Sequence, residues 1–275
     1  MFKAVHLLQR RQHSKLTVHD EVNHVIADKY KVSSIRTKHF ENQFQDGVGQ
    51  GVNMFEGPLK SLDSPITAAE VVTAFARLNN NRACGYDSIP RKLLKYAPAE
   101  LSRLIADAFN DVFEKHQPLH VGTGVLIALQ KPGKPLARPK SLRPIVLLTT
   151  LRKTLSLITL QRISDKVDDF FSPSQSGFRR GRSTADVIWG HRWLVAKIEI
   201  LGIDLSRAFD TIRRGKFLNV LHSFLDTNNV RIIRLLLSET NITVRVDDTL
   251  SAPFNYNSWP STRGFTIAST LHSVS

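Results

Sequence analysis

The sequence of 275 residues contains a single cysteine, Cys84, and no long apolar run. One cysteine excludes an intramolecular disulfide framework and a zinc site built from cysteines. Apolar residues make up 41% of the chain, which is enough for a folded core. No stretch approaches the roughly 18 apolar residues that a membrane-spanning helix needs. The sequence therefore predicts a globular chain of one or two domains with no membrane span.

Acidic residues are scarce relative to basic ones. The chain has 24 Asp and Glu against 38 Lys and Arg, and its formal net charge is +14. The excess is concentrated between Lys131 and Arg192, where 13 basic residues face 4 acidic ones. Apolar residues are interleaved throughout this region, which indicates folded structure. A polyanion is the expected partner, most commonly nucleic acid, with an anionic membrane surface as the alternative.

Apolar periodicity predicts helices and strands in irregular alternation, which favours an α+β fold. Thr67–Glu70 forms a capping box ahead of a helix. Trp189 and Trp193, four residues apart, are expected in the core. Basic residues 152 and 153 are expected on the outer side of their helix. The predicted helices cover about Ser34–Phe44, Val71–Leu78, Leu101–Phe113, Leu151–Ile158, Phe217–Leu225 and Ile232–Leu237; the predicted strands cover Val125–Leu129, Ala196–Ile203 and a hairpin around Asp247-Asp248.

The stretch GIDLSRAFDTI, Gly202–Ile212, follows the second predicted strand and begins a turn at Asp204. A carboxylate at the end of a strand can bind magnesium through its oxygens. Asp is also well suited to cap the helix that follows, and Asp210 competes for the same capping role. The spacing alone leaves both interpretations open.

Five stretches, taken in order, resemble the reverse transcriptases of non-LTR (LINE-like) retrotransposons. Residues 66–96 resemble the leader of these enzymes, and ALQKPGKP (128–135) resembles the first fingers motif. SLRPIVLLTTLRKTLSLITLQRI (141–163) and SQSGFRRGRSTADVI (174–188) resemble the second and third. GIDLSRAFDTI (202–212) resembles the first palm motif. The resemblance implies an α+β right-hand polymerase fold and RNA-directed DNA synthesis with magnesium, an RNA template, a DNA primer and dNTPs.

The resemblance also implies roles for single residues. Asp204 would bind the catalytic Mg²⁺ ions with help from the carbonyl of Leu205, and Phe209 would exclude a 2′-hydroxyl from the nucleotide site. Lys131 or Lys134, with Arg143, would hold the triphosphate, because a guanidinium meets phosphate oxygens in pairs. The template or primer backbone would be contacted by Arg179, Arg180 and Arg182, and by Arg263 and Gly264 of the second palm motif. Lys131, Lys134, Arg143 and the three arginines of residues 179–182 are alternatively interpreted as solvated surface cations, and Phe209 as a core aromatic.

The resemblance to the reverse transcriptase motifs weakens after Gly264. The second palm motif keeps Arg263, Gly264 and Leu271, but Thr266–Ala268 replace its Pro, Gln and second Gly. The paired aspartates that should follow this motif do not occur in the sequence, and Asp168-Asp169 and Asp247-Asp248 precede it. The expected organisation is an N-terminal extension and linker (1–60), fingers (61–192) and an incomplete palm (193–275), with the thumb absent.

Three functions remain open on these grounds. The chain is a reverse transcriptase fragment that is inactive alone, one piece of an active enzyme encoded by a longer reading frame, or a basic nucleic-acid-binding module without catalysis. The family resemblance suggests an intracellular, nuclear location, because such elements usually reverse transcribe at the chromosome.

Overall fold

The computed structural model describes residues 17–19, 24–45, 61–115, 121–135, 137–195, 198–199, 201–203, 212, 214–238 and 241–255. These residues form a mixture of helices and short strands. The helices are α1 Lys29–Gln45, α2 Ala68–Ala76, α3 Arg91–Lys95, α4 Ala99–Lys115, α5 Thr150–Phe170, α6 Thr184–Val195, α7 Arg214–His222 and α8 Thr227–Ser238. The strands are β1 Val18–His19, β2 Val25–Ile26, β3 Thr123–Gln130, β4 Leu142–Leu147, β5 Asn241–Val246, β6 Thr249–Leu250 and β7 Phe254–Asn255.

The main sheet is mixed and is built around β3 and β5. Strand β3 pairs antiparallel with β4, so that Leu129 lies opposite Arg143, and parallel with β5, so that Ile127 lies beside Arg245. Strands β6 and β7 both pair antiparallel with β5. The predicted hairpin is confirmed, and Asp247 takes a positive φ of 53° in its turn.

A helical core lies beside the sheet. Helix α2 begins at the predicted capping box: Thr67 Oγ1 accepts from the Glu70 amide and Glu70 Oε2 accepts from the Thr67 amide. The apolar residues of α2 pack with the inward faces of α4, α5 and α8. Helix α4 is confirmed, but its buried stripe is narrower than predicted, since Leu104 and Ala108 are exposed. The helices therefore bury their apolar stripes against each other.

Helix α1 covers one face of the sheet. Phe40 and Phe44, one turn apart, are fully buried and pack in one cluster with Leu126 of β3 and Val244 of β5. The described part of the N-terminal 60 residues thus contributes a helix to the core. Residues 47–58, which belong to the predicted N-terminal extension and linker, lie outside the described residues.

Three sequence-based expectations are wrong. Arg152 is buried, because its guanidinium reaches across to α8 and donates to the Leu236 carbonyl. Trp189 is 74% exposed and Trp193 56% exposed. Apolar residues are spread around α6, which leaves it no single core-facing stripe.

The third wrong expectation is the strand over Ala196–Ile203. Its described residues, 198–199 and 201–203, are not paired, and Leu201 is 85% exposed. A strand requires a hydrogen-bonding neighbour, which apolar periodicity does not provide.

In the part of the chain described here, no helix combines the length and the hydropathy needed to cross a membrane.

Candidate nucleotide and nucleic-acid interface

The hairpin of β3 and β4 carries the cations predicted to hold a triphosphate. The hydrogen-bonded ladder between β3 and β4 continues one residue beyond the strands, since the Lys131 amide donates to the Ser141 carbonyl over 2.9 Å. The register therefore puts Lys131 and Arg143 on the same face of the hairpin, as diagonal neighbours. Lys131 Nζ donates to the Lys140 carbonyl over 2.8 Å, and Arg143 is exposed. The hairpin brings these two predicted residues together at the surface.

Lys134 lies in the turn of the same hairpin. Its side chain is exposed, its amide donates to the Lys131 carbonyl, and its carbonyl accepts from Gln130 Nε2 over 2.6 Å. Gly133 takes a φ of +70° in this turn, a conformation that side chains rarely adopt. The backbone of the turn is thus fixed while the ammonium of Lys134 extends into solvent.

Arg245 is a basic residue on this face that the sequence interpretation missed. It lies beside Ile127 of β3, and Ile127 lies opposite Ile145 of β4, so all three side chains project from one side of the sheet. Arg245 is exposed, whereas its neighbours Val244 and Val246 are buried. The alternation in ITVRV already gave this signal, but the pairing with β3 could not be read from it. The sheet therefore presents cations from two strands, β4 and β5, on one face.

The basic loop between α5 and α6, residues 171–183, holds the other predicted cluster. Arg179 is engaged within the protein: its Nε donates to Asp168 Oδ1 over 2.7 Å and its Nη2 to Asp168 Oδ2 over 3.0 Å. Its Nη1 also donates to the Ser172 carbonyl over 2.9 Å. The hydrogen bonds from Arg179 lower the pKa of the Asp168 carboxyl. Arg179 thus ties the middle of the loop to the end of α5.

Arg180 and Arg182 follow Arg179 and are both exposed. The chain between them turns sharply, with positive φ values of 62° at Phe178 and 72° at Gly181. Ser183 begins α6 with a reciprocal pair of hydrogen bonds to Asp186: the Asp186 amide donates to Ser183 Oγ, and the Ser183 amide donates to Asp186 Oδ2. Both ends of the Arg180–Arg182 segment are therefore held, while its two guanidinium groups remain accessible.

Several predicted residues lie outside the described part of the chain: Asp204, Leu205, Phe209, Arg263 and Gly264. Their roles stay predictions. In the two Asp-Asp pairs that precede the second palm motif, Asp168 binds Arg179, and Asp247 acts electrostatically on Arg36 of α1. Within the described residues, no group of three His, Cys, Asp or Glu could hold a metal ion.

Residues 129–271, more than half of the chain, match the family Reverse transcriptase (RNA-dependent DNA polymerase). Similar proteins include a probable RNA-directed DNA polymerase from transposon BS of Drosophila melanogaster, 25% identical over 79% of this chain and 25% of the relative. The probable RNA-directed DNA polymerase from transposon X-element of the same species is 29% identical, over 68% of this chain and 21% of the relative.

An RNA-directed DNA polymerase from mobile element jockey of Drosophila funebris is 26% identical, over 66% of this chain and 21% of the relative. The chain spans about a quarter or less of the length of these curated relatives. The match begins at the end of β3 and includes β4, the basic loop and the Asp204 motif. The chain belongs to the reverse transcriptase family, and its resemblance to the enzymes of non-LTR, LINE-like retrotransposons is confirmed.

Proposed function

We propose that these 275 residues form the part of an RNA-directed DNA polymerase that holds the incoming nucleotide and the nucleic acid. Residues 61–192 correspond to the fingers and 193–275 to part of the palm, and α1 from the N-terminal extension supports the sheet. The observation that carries this proposal is the pair formed by half-buried Lys131 and exposed Arg143 on one face of the β3–β4 hairpin. Two adjacent cations at a solvent-facing edge strand suit a triphosphate, and Lys134 reaches the same space from the turn.

The basic loop is proposed to follow the nucleic-acid backbone. Arg180 and Arg182 would contact phosphates, since both are exposed. Arg179 would act as a positioning residue instead of a phosphate ligand, because Asp168 and the Ser172 carbonyl occupy its guanidinium. Arg263 and Gly264 remain candidate template contacts by family resemblance. Contacts of this kind are electrostatic and should weaken steeply with salt.

Asp204 is proposed to bind magnesium, with the Leu205 carbonyl as a second oxygen ligand and Phe209 under the sugar of the nucleotide. Carboxylate and carbonyl oxygens are the donors that magnesium prefers. When bound, the metal ions would lower the barrier to attack of the primer hydroxyl on the α-phosphate. Asp204 and the Leu205 carbonyl would hold the ions, and Phe209 would exclude ribonucleotides.

The 275 residues alone are proposed to bind nucleic acid without extending a primer. Phosphoryl transfer depends on several carboxylates that hold the metals, and this sequence has no Asp or Glu after Asp248. Asp168 is engaged by Arg179, and Asp247 lies in the turn of the β5–β6 hairpin. The experiment is primer extension on an RNA template with Mg²⁺ and dNTPs, comparing the chain with Asp204→Ala.

Extension by neither protein, with salt-sensitive RNA binding by both, is the expected result. Extension by the unchanged chain that Asp204→Ala abolishes would contradict the proposed inactivity. It would leave the polymerase assignment intact and direct attention to Asp247 and Asp248. Extension that survives Asp204→Ala would contradict the assignment of the metal ligand itself.

The second candidate is a basic nucleic-acid-binding module that has no catalytic role in any context. The net charge of +14 and the exposed Arg180 and Arg182 favour it. It differs from the polymerase proposal in its response to dNTPs. A polymerase part should bind a dNTP through Lys131 and Arg143, and Arg143→Gln should weaken that binding. A binding module should show no dNTP binding above that of inorganic phosphate.

A further inference from the structure

The side of the main sheet that faces away from α1 carries apolar and basic side chains together. Strand pairing places Ile145, Ile127 and Arg245 side by side across β4, β3 and β5. Leu129 lies opposite Arg143 in the next row, two residues further along β3. Because side chains alternate between the two faces of a sheet, all five project from one side. We call these five residues the Ile127 platform.

The Ile127 platform becomes more exposed toward the turn of the β3–β4 hairpin. One row before it, Val125 and Thr243 are 0% and 3% exposed. Ile127 and Ile145 are half-buried, and Leu129 is 47% exposed. Within the described ranges, none of these last three side chains belongs to the apolar clusters that form the core. The platform is therefore an apolar surface that the described part of the chain leaves partly open.

Two guanidinium groups border this apolar surface at diagonally opposite corners. Arg143 lies on the β4 side beside Leu129, and Arg245 lies on the β5 side beside Ile127. Neighbouring strands are about 4.8 Å apart, and successive residues on one face of a strand are about 6.7 Å apart. The Cα atoms of Arg143 and Arg245 are therefore about 12 Å apart. Both side chains are exposed, so each guanidinium can reach a ligand that lies over the apolar residues.

The three strands that carry the platform contain no acidic residue. Their sequences are TGVLIALQ in β3, LRPIVL in β4 and NITVRV in β5. The acidic residues closest to Arg245 along the chain are Asp247 and Asp248, in the turn between β5 and β6. Asp247 acts electrostatically on Arg36 of α1, the helix that covers the opposite face of the sheet. The platform therefore has positive charge from two strands and no carboxylate of its own.

This arrangement suits a polyanion whose flat apolar groups alternate with its charges. Single-stranded nucleic acid has this form, because its unpaired bases expose their faces and a phosphate joins successive nucleotides. A duplex also presents phosphates, but its base faces are stacked inside. An acidic peptide carries charge without flat rings between the charged groups. Arginine fits a nucleic-acid strand in particular, since its planar guanidinium binds phosphate oxygens in pairs and stacks on aromatic rings.

We propose that Arg245 binds a backbone phosphate of a single-stranded nucleic acid whose bases lie on the Ile127 platform. The strand would cross β3 between Arg143 and Arg245, next to the triphosphate that is proposed to lie at Lys131 and Arg143. This inference rests on the proposed function, since it requires that the chain bind nucleic acid. It adds β5 to the interface, a strand that reaches this face through its parallel pairing with β3.

The first experiment measures the contribution of Arg245 to phosphate binding. A labelled single-stranded RNA of about 20 nucleotides is titrated with the full chain over a range of salt concentrations. Arg245→Gln should reduce the slope of log K against log salt by about 0.7, the value for one lost phosphate contact on a single strand. Arg103→Gln, an equal loss of charge at an exposed residue of α4, should reduce it by less than half as much. Arg245→Lys keeps the charge and should keep the slope of the unchanged chain.

The second experiment tests the apolar surface. Leu129→Ser removes apolar area from the platform without changing its charge, so it should weaken RNA binding about fivefold and leave the salt slope unchanged. Leu104→Ser is the matched control, since Leu104 is 66% exposed on α4, and it should bind RNA as the unchanged chain does. Thermal unfolding checks that the variants fold. Leu129→Thr and Arg245→Thr, whose new side chains suit a strand, replace any platform variant that does not fold.

A duplex of the same length and a dNTP complete the test. Arg245→Gln should change the slope for the duplex no more than Arg103→Gln does, and it should weaken dNTP binding less than Arg143→Gln does. Equal RNA slopes for Arg245→Gln and Arg103→Gln would overturn the proposal while RNA binding by the unchanged chain upheld the proposed function. An equally large slope change on the duplex would overturn the assignment to a single strand. Failure of the unchanged chain to bind RNA would contradict the proposed function, and this inference with it.

Discussion

The helical core and the segment that follows α5 bury their apolar residues to different extents. In the core, Phe109 and Ile158 are about 1% exposed, and each contacts apolar residues from several helices. In α6, Ile188 is 54% and Trp189 74% exposed. The core residues occur at helical spacing on one face, whereas those of α6 are spread around the helix. The scaffold is thus fixed by packing, while the basic loop and α6 depend on polar contacts such as that of Arg179 with Asp168.

The two regions should differ most in the loss of unfolding free energy that follows truncation of one large side chain in each. Phe109→Ala removes a fully buried ring and should lower the free energy of unfolding by about 4 kcal/mol. Trp189→Ala removes a larger but exposed ring and should change it by less than about 0.5 kcal/mol. Urea unfolding followed by circular dichroism measures both. A loss above about 2 kcal/mol for Trp189→Ala would mean that α6 is packed in solution.

The next largest effect is expected at Arg162, which joins α5 to the beginning of α2. Its guanidinium donates to Glu70 and to the carbonyls of Ser64 and Pro65. Arg162→Ala leaves a partly buried carboxylate without its partner and should cost about 2 kcal/mol. The matched control is Lys115→Ala, which breaks the exposed pair with Asp111 and should hardly change the free energy of unfolding, because solvent screens such a pair. Equal costs in urea unfolding would contradict the structural role of Arg162.

A smaller effect should appear in the pH dependence of stability. Burial, with the neighbouring arginines, lowers the pKa of Lys153 from 10.5 to about 8 in the folded chain. Between these two values the unfolded chain binds the proton and the folded chain does not, so stability should rise with pH. Below pH 8 both states are charged, and this contribution is constant. Because the side chain is partly exposed, the gain should be about 1 kcal/mol.

The control for that experiment is Lys153→Met, which cannot titrate. Subtracting its unfolding profile from that of the unchanged chain removes the contributions of other groups that titrate in this range. The difference should increase from about pH 8 to about pH 10.5. A flat difference would mean that Lys153 keeps an ordinary pKa, and the crowding of charge at the beginning of α5 would then be overstated.

The smallest effect on global stability is expected at Asp168, although the local effect should be clear. Asp168→Asn leaves the shape of the side chain but removes the charge that binds Arg179. The unfolding midpoint should hardly change. Limited trypsin digestion should cut after Arg180 and Arg182 several-fold faster, because the loop is no longer tied to α5. Asp169→Asn is the matched control, and equal digestion rates for both variants would contradict the positioning role of Arg179.

The sequence predicts local features of the structure, but it does not predict contacts between residues that are far apart in the chain. The capping box at Thr67 and the buried positions of α2 depend on residues within one turn, so their spacing predicted them. Arg152 was misplaced because its partner, the Leu236 carbonyl, is 84 residues away. Arg245 was missed for the same reason, since its significance comes from its pairing with β3. The order of the motifs predicts that Lys131 and Arg143 act together, but only the strand register shows that they share a face of the hairpin.

The parallel pairing of β3 with β5 has a consequence for the order of events during synthesis. Thr243 Oγ1 donates to the Gly124 carbonyl across this pair, and the two residues are 119 positions apart in the chain. Closing so long a loop is slow, and the β3–β4 hairpin leaves the ribosome well before β5. During that interval one edge of β3 has no partner strand. Chaperone demand should therefore fall abruptly once the residues up to about 246 have emerged from the ribosome.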